Sequence, residues 1–348
     1  MVHPRIRFIL IPSQPLSLTL NTSAVVKKMI LFYERILKFL WHTTQINMIW
    51  RKIIYREIRR LGKAPDHSFV KDFFGLKYQG NLNNSIEASI YFYGAFEKPL
   101  LFFLRDALKA IRDDRTVFID IGANVGQHSL YASKFASKVV AFEPYSEVNA
   151  QFKSQVALNK ISNIEIFEYG LSDVEETLRY FAPTGHNKGI GSFDESSQFK
   201  GNREYGKLQL LKGDDVVRDN NWELIKLIKI DVEGFEKKVI KGLRATLKKE
   251  RPILVCEITY GQRLSFSNLE ELINFLPPDY ELLTFNTRNV DGSKNKRKGS
   301  LAKRTGNYEL IPFKSWRMNG QDDIVMIPSE QSHAIAKSSK SVTSKITA

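Results

Sequence analysis

One segment, Thr116–Gly126 (TVFIDIGANVG), constrains the fold more than any other. Its apolar half, Thr116–Ile121, reads as a buried strand, and Gly122 and Gly126 mark a tight turn before a helix predicted from Gly126 to Phe135. Glycine at such a turn lets the backbone approach a ligand where a β-carbon would collide. The same alternation recurs downstream. Strands are predicted at Lys138–Phe142, Asn163–Glu168, Leu224–Ile230 and Pro252–Ile258, with helices over Ser146–Asn159 and Phe235–Lys248. β-Branched strands separated by helices specify a mostly parallel sheet covered on both faces. Beyond Ile258 the pattern loosens into a helix at Asn268–Phe275, a strand at Glu281–Phe285, a solvated basic loop over Val290–Arg304 and a closing strand at Asp323–Ile327.

Hydrophobic residues make up 43% of the 348 residues, which excludes global disorder. The formal net charge is +14, but its distribution matters more than its size. Residues 1–63 carry twelve Lys or Arg against two Glu, and residues 331–348 carry three Lys and no acid, leaving +1 for residues 64–330. The body is thus nearly neutral, and the overall basicity does not imply a nucleic-acid partner. The chain divides into a basic, apolar helical extension (1–63), a principal domain (64–330) and a flexible tail (331–348). Lys27, Lys28, Glu34, Arg35 and Lys38 interrupt the apolar stretch Val25–Ile58, which argues against a membrane-spanning helix. Two readings of the extension remain: a helix docked on the body or on a partner, or an interfacial membrane helix or organellar targeting segment. The expected location is the cytoplasm, with membrane association or an organelle as the variants the extension allows. The lone Cys256 excludes an intrachain disulfide framework and a cysteine-cluster zinc site, and reads as a small buried side chain. The separated acids Asp214, Asp215 and Asp231 leave magnesium open but form no compact metal-ligand signature, so no metal is expected.

The glycine turn is not a diphosphate cradle. A dinucleotide site would read G-x-G-x-x-G, whereas Asn124 stands at the middle glycine position and Gln127 at the last. An acid directly before the turn, Asp120, fits a ligand that bears a cationic amino-acid group. Glu143 ends the second strand, 23 residues after Asp120, where a carboxylate accepts from two ribose hydroxyls. Asp173, after the third strand, is placed to accept from an adenine amino group, with Leu171 or Ser172 beside the ring; a plain Asp turn is the alternative. In Lys229-Ile230-Asp231-Val232-Glu233-Gly234, either Asp231 or Glu233 is a candidate to position or deprotonate an acceptor hydroxyl, and helix capping is the alternative. Lys229 is expected to pair with a nearby acid. His186, in the loop Pro183–Gly189, is a competing base. Walls for an acceptor are expected from Gly189–Phe193 and Arg263–Asn268, with Tyr180, Phe181, Phe193 and Tyr260 as aromatic candidates.

Several separated motifs share one resemblance: Gly94-Ala95-Phe96-Glu97, Phe118–Gly126, Phe142-Glu143-Pro144, Gly170-Leu171-Ser172-Asp173, Lys229–Glu236 and Pro252–Glu257. In order and spacing, over about residues 76–327, they resemble the FkbM family of S-adenosylmethionine-dependent methyltransferases. The resemblance implies a seven-stranded class I methyltransferase sheet, Rossmann-like, flanked by helices, with the last strand antiparallel. It implies S-adenosyl-L-methionine as donor, with Gly94 to Glu97 closing over it, and a hydroxyl oxygen of a small molecule, sugar or glycolipid as acceptor. The donor set expected is Glu97, Asp120, Gly122, Asn124, Gly126, Glu143, Leu171, Ser172 and Asp173, and the catalytic set Asp231, Glu233 and His186. Two other readings are an N-methyltransferase and an inactive adapter that uses the N-terminal extension to bind membrane or protein.

Overall fold

The computed structural model describes residues 24–42, 46–61, 65–184, 191–289, 291, 293 and 295–339. Its centre is a sheet of eight strands: β1 (Val117–Ile121), β2 (Lys138–Phe142), β3 (Ile164–Phe167), β4 (Ile225–Ile230), β5 (Ile253–Tyr260), β6 (Tyr280–Phe285), β7 (Leu310–Pro312) and β8 (Gly320–Pro328), in the order β7-β6-β8-β5-β4-β1-β2-β3. β3, β2, β1, β4 and β5 are parallel, and β8 inserts antiparallel between β5 and β6. The sheet has one strand more than expected. The addition is β7, which pairs Leu310 with Phe285 at the edge.

Alternation along the strands decides what covers each face. Ile119, Ile121, Ile228 and Ile230 face one core with Val239, Ile240 and Leu247. Phe118, Val139, Leu227 and Val255 face the other with Leu100, Phe103, Leu104 and Leu108. The latter group lies on α4 (Lys98–Ala110), which follows α1 (Ala24–His42), α2 (Met48–Arg60) and α3 (Ser85–Tyr93) and precedes α5 (Gln127–Ala132) and α6 (Ser146–Asn159). The α1–α2 hairpin docks its inner side, Leu37, Trp41, Ile54, Tyr55 and Ile58, into a third core with Phe73, Tyr78 and Tyr91. Cys256 is fully buried.

Elsewhere the chain departs from the sequence reading. The helix expected over Phe235–Lys248 is two, Glu236–Gly242 and Arg244–Glu250, with Asp214 accepting from the backbone N–H of Ala245 and Thr246 at the start of the second. The basic loop contains a helix, Lys296–Thr305, because Asn295 caps Lys298 N–H and Gly306 closes it in the left-handed conformation. A three-stranded sheet (Gly170–Ser172, Glu176–Pro183, Asn202–Lys212) and a hairpin (Ser68–Phe73, Leu76–Asn81) were not evident in the hydrophobic pattern. The start of the expected tail is packed: Ile335 is buried and the Leu310 N–H donates to Lys337 O.

Gly126 shows how tightly the turn is built. Its φ is +79°, and a β-carbon there would lie 1.9 Å from Phe152 Cδ2 on α6. Gly126→Ala combines left-handed strain with overpacking. It should lower unfolding free energy by about 3 kcal/mol, read from urea or thermal denaturation.

Candidate active site

The register of the sheet assembles the site. Ile121 is opposite Phe142 on β2 and Ile230 on β4, so Gly122, Glu143 and Asp231 emerge at one edge. Cys256 is opposite Ile230, which sets Glu257 beside Asp231. On the antiparallel side Glu257 faces Asp323, and Thr259 faces Gln321. Gly122, Glu143, Asp231, Glu257 and Gln321 bound a cleft of about 310 Å³, together with Glu97, Asn124, Tyr180, Phe193 and Glu233.

The turn after β1 is held by short-range contacts. Gly122 and Ala123 N–H both donate to Phe142 O at 3.0 Å, and Asp231 N–H donates to Ile121 O at 3.0 Å. A β-carbon on Gly122 (φ +79°) would lie 1.9 Å from Asp231 O. Glycine is therefore required here by the neighbouring strand, before any ligand is considered. Glu143 Oε2 accepts from Asn124 N–H at 2.8 Å and Oε1 from Tyr145 N–H at 2.9 Å. Burial pushes its carboxyl up to about 7, against those two N–H groups, which favour the ionised form.

Beyond the turn the cleft is crowded with acids. Asp231, Glu233 and Glu257 each bring a carboxylate oxygen to within 4.8 Å of the others, a grouping able to hold a cation. Burial, followed by neighbouring carboxylates, raises the Glu97 and Glu257 carboxyls well above their ordinary range. Burial, then Asp231, brings Asp323 to about 7. The compensating charge is Lys229, whose Nζ lies 3.4 Å from Asp120 Oδ1 and 3.2 Å from Asp231 Oδ2. Burial alone would lower its pKa, but Asp231, Asp120 and Glu97 outweigh it and hold the ammonium above its ordinary value. Gln321 Nε2 lies 2.8 Å from Glu257 Oε1 and 3.2 Å from Glu233 Oε2.

Glu97 arrives from a distant part of the chain. Phe96 N–H donates to Gln127 Oε1 at 2.7 Å and Gln127 Nε2 returns to Phe96 O at 3.0 Å, so α5 holds the Phe96–Glu97 backbone over the turn. Glu97 itself adopts φ 43°, an uncommon conformation for a residue with a β-carbon. His128 Nε2 is 3.5 Å from Glu97 Oε2, and burial holds that imidazole neutral.

The expected residues divide into three groups. Glu97, Gly122, Asn124, Glu143, Asp231 and Glu233 line the cleft. Asp120 and Gly126 lie just behind it: Asp120 is fully buried and accepts from Ser129 Oγ at 2.7 Å, with Lys229 between it and the cleft acids. Leu171, Ser172 and Asp173 are not among the lining residues. Leu171 packs in the core, Ser172 Oγ donates to Glu176 at 2.6 Å, and Asp173 pairs with Lys241 at 2.6 Å and Lys238 at 3.8 Å. His186 lies outside the described residues. Arg263–Asn268 does not line the cleft either; Ser265 turns toward Glu236, and Phe266 is core. Tyr180 and Phe193 do form an aromatic wall, centroids 5.3 Å apart. Gln321 had no sequence signal, and Ser85 and Ile86 at the start of α3 were also missed.

A second cavity of about 510 Å³ shares Glu97, Glu257 and Gln321 with the first and continues past Thr284, Thr287, Arg288, Asn319 and Asp322. Arg288 Nε and Arg317 both pair with Asp322, and both guanidinium groups donate to Gln321 O, at 2.6 and 2.7 Å.

Residues 120–285 match the methyltransferase FkbM domain. Among curated proteins, the chain is 29% identical over 174 residues to the AMB antimetabolite synthetase AmbE of Pseudomonas aeruginosa, covering 40% of this chain and 8% of that one. It is 27% identical over 147 residues to Methyltransferase 1 of Beauveria bassiana, covering 37% of this chain and 59% of that one. The match therefore spans less than two thirds of either relative. Among solved structures, the methyltransferase FkbM of Methylobacillus flagellatus KT aligns at 15% identity and TM-score 0.37, covering 61% of this chain and 43% of that one.

Glu236, fully buried behind the cleft, accepts from Gly234 N–H at 2.7 Å, and burial pushes its carboxyl up to about 7. A carboxyl raised in the folded state contributes stability that is present below the unfolded value and lost as pH rises through the folded one. Stability should therefore fall between about pH 5 and 8. Glu236→Gln should reduce that fall by up to about 3 kcal/mol, measured by urea unfolding across the range.

Proposed function

From the match of residues 120–285 to the methyltransferase FkbM domain, we propose that the chain binds S-adenosyl-L-methionine in the acid-walled cleft and methylates a hydroxyl oxygen. The observation that carries this reading is Glu143, held by two backbone N–H groups at a strand end beside the glycine turn. Each of its oxygens spends one lone pair on the backbone and keeps another for a ribose hydroxyl. The remaining wall suits the rest of such a donor: Asp231, Glu233, Glu257 and Glu97 oppose a positive charge, and the volume falls at the lower end of the range of about 300–1,000 Å³ for small-molecule sites. When bound, the donor supplies a methyl group on a positively charged sulfur.

The chain's own work is alignment and proton transfer. Gly122 and Asn124 hold the adenosyl side of the cleft, while Glu97, Glu257 and Gln321 stand where the two cavities meet, with Asp231 and Glu233 beside Glu257. The second cavity, lined by Thr284, Thr287, Arg288, Asn319 and Asp322, offers many hydrogen-bonding partners to a polyhydroxylated acceptor such as a sugar. Asp231 and Glu233 position the acceptor hydroxyl, and Glu257 takes its proton. A carboxyl raised by burial and by neighbouring acids ionises more readily when a cation enters beside it, which readies Glu257 as the base once the donor is seated. Holding both reactants in line accounts for much of the acceleration.

The test is transfer of a labelled methyl group to a panel of sugars and small alcohols, with mass spectrometry locating the product methyl. A methyl found on nitrogen would replace the oxygen assignment. Glu143→Ala should weaken donor binding about tenfold to a hundredfold by calorimetry in a variant with an unchanged melting transition. Donor affinity in the wild type should be about tenfold weaker at pH 6 than at pH 8, since ribose hydroxyls select the ionised Glu143. Glu257→Gln should lower kcat about a hundredfold, with a smaller weakening of donor binding from the lost carboxylate.

A further inference from the structure

The α1–α2 hairpin buries one side on the body and presents the other to solvent. On α1, Met29 (65% exposed), Phe32 (66%) and Ile36 (40%) follow helical spacing, and on α2 so do Ile49 (70%), Trp50 (51%) and Ile53 (39%). Folding against the body would be served by the inner stripe alone, so these side chains need another explanation. Isolated exposed apolar residues are ordinary, whereas a clustered set on paired helices marks a contact surface.

Charge identifies the occupant. Residues 24–60 hold nine Lys or Arg against Glu34 and Glu57, a net of +7, whereas residues 64–330 carry only +1. Lys28, Arg35, Lys38 and Arg56 are exposed around the apolar stripe. A second copy meeting this face by two-fold symmetry would bring like charges together. No helix among the described residues is long and apolar enough to cross a membrane. Large apolar side chains framed by lysine and arginine suit a helix lying in the plane of an anionic bilayer surface.

We propose that the outer face of α1–α2 docks this protein on anionic lipid bilayers. The site would then lie near the lipid. Tyr55 OH on α2 donates to Leu82 O at 3.2 Å, and the Tyr55 ring meets Phe92 on α3 at 5.1 Å. The first residues of α3, Ser85 and Ile86, line the cleft. The docking is independent of which atom is methylated.

The test uses the full chain with sedimented vesicles of phosphatidylcholine, alone or mixed with phosphatidylglycerol. Uptake should favour the anionic vesicles by about tenfold or more and weaken as salt rises. Phe32→Asp with Ile49→Asp, both at exposed positions, should reduce uptake at least about tenfold without moving the melting transition. Trp50 should shift its emission to the blue with anionic vesicles and be quenched by brominated lipid, a readout that needs no variant beyond Trp50→Phe as control. Equal uptake by neutral vesicles, absence of uptake, or full uptake by the double variant would overturn the proposal. So would a wild-type dimer that the double variant converts to monomer without any vesicle binding.

Discussion

Everything at the sheet edge depends on one buried ammonium. Lys229 reaches Asp120 on one side and Asp231 on the other, with only 3% of its side chain exposed. Several carboxyls converge around it, and unpaired buried charge is strongly unfavourable. By tying the ends of β1 and β4 together electrostatically, Lys229 lets a cleft rich in carboxyls persist in a folded protein. Burial first, and one another second, raise the carboxyls nearby. A cationic ligand, as the proposed donor is, would offset the remaining negative charge.

The legible parts of the site lie in single stretches of chain. Gly122, Asn124 and Gly126 declare a turn by their order, and Glu143 and Asp231 declare themselves as acids at the ends of apolar strands. Parallel register then brings those strand ends together without further information. Gln321 was not legible, because only antiparallel pairing with Thr259 delivers it, and nothing local marks a glutamine for that position. Asp173 shows the converse problem. Its residue type and place after the third strand suit a ligand, but Lys241 and Lys238 on another helix capture its carboxylate. Partners that come from elsewhere in the chain leave no trace in a local pattern.

The fold was legible to a similar degree. Alternating apolar runs give the parallel half of the sheet, where every strand but the half-buried edge strand β3 is buried on both faces. The extra edge strand β7 is three residues long, and the helix Lys296–Thr305 buries no residue, so hydrophobic periodicity carries no signal for either. In that helix the caps Asn295 and Gly306 speak more clearly than its interior. The hairpin α1–α2 carried two stripes, and the structure separates them: one packs on the body and the other faces outward.

The lone thiol offers a way to watch the sheet move. Cys256 sits between β4 and β8 with no exposed surface, and burial pushes its pKa well up, so alkylating reagents find neither access nor thiolate. With no other cysteine in the sequence, its rate of modification would time the opening of the molecule's centre, without any label being added.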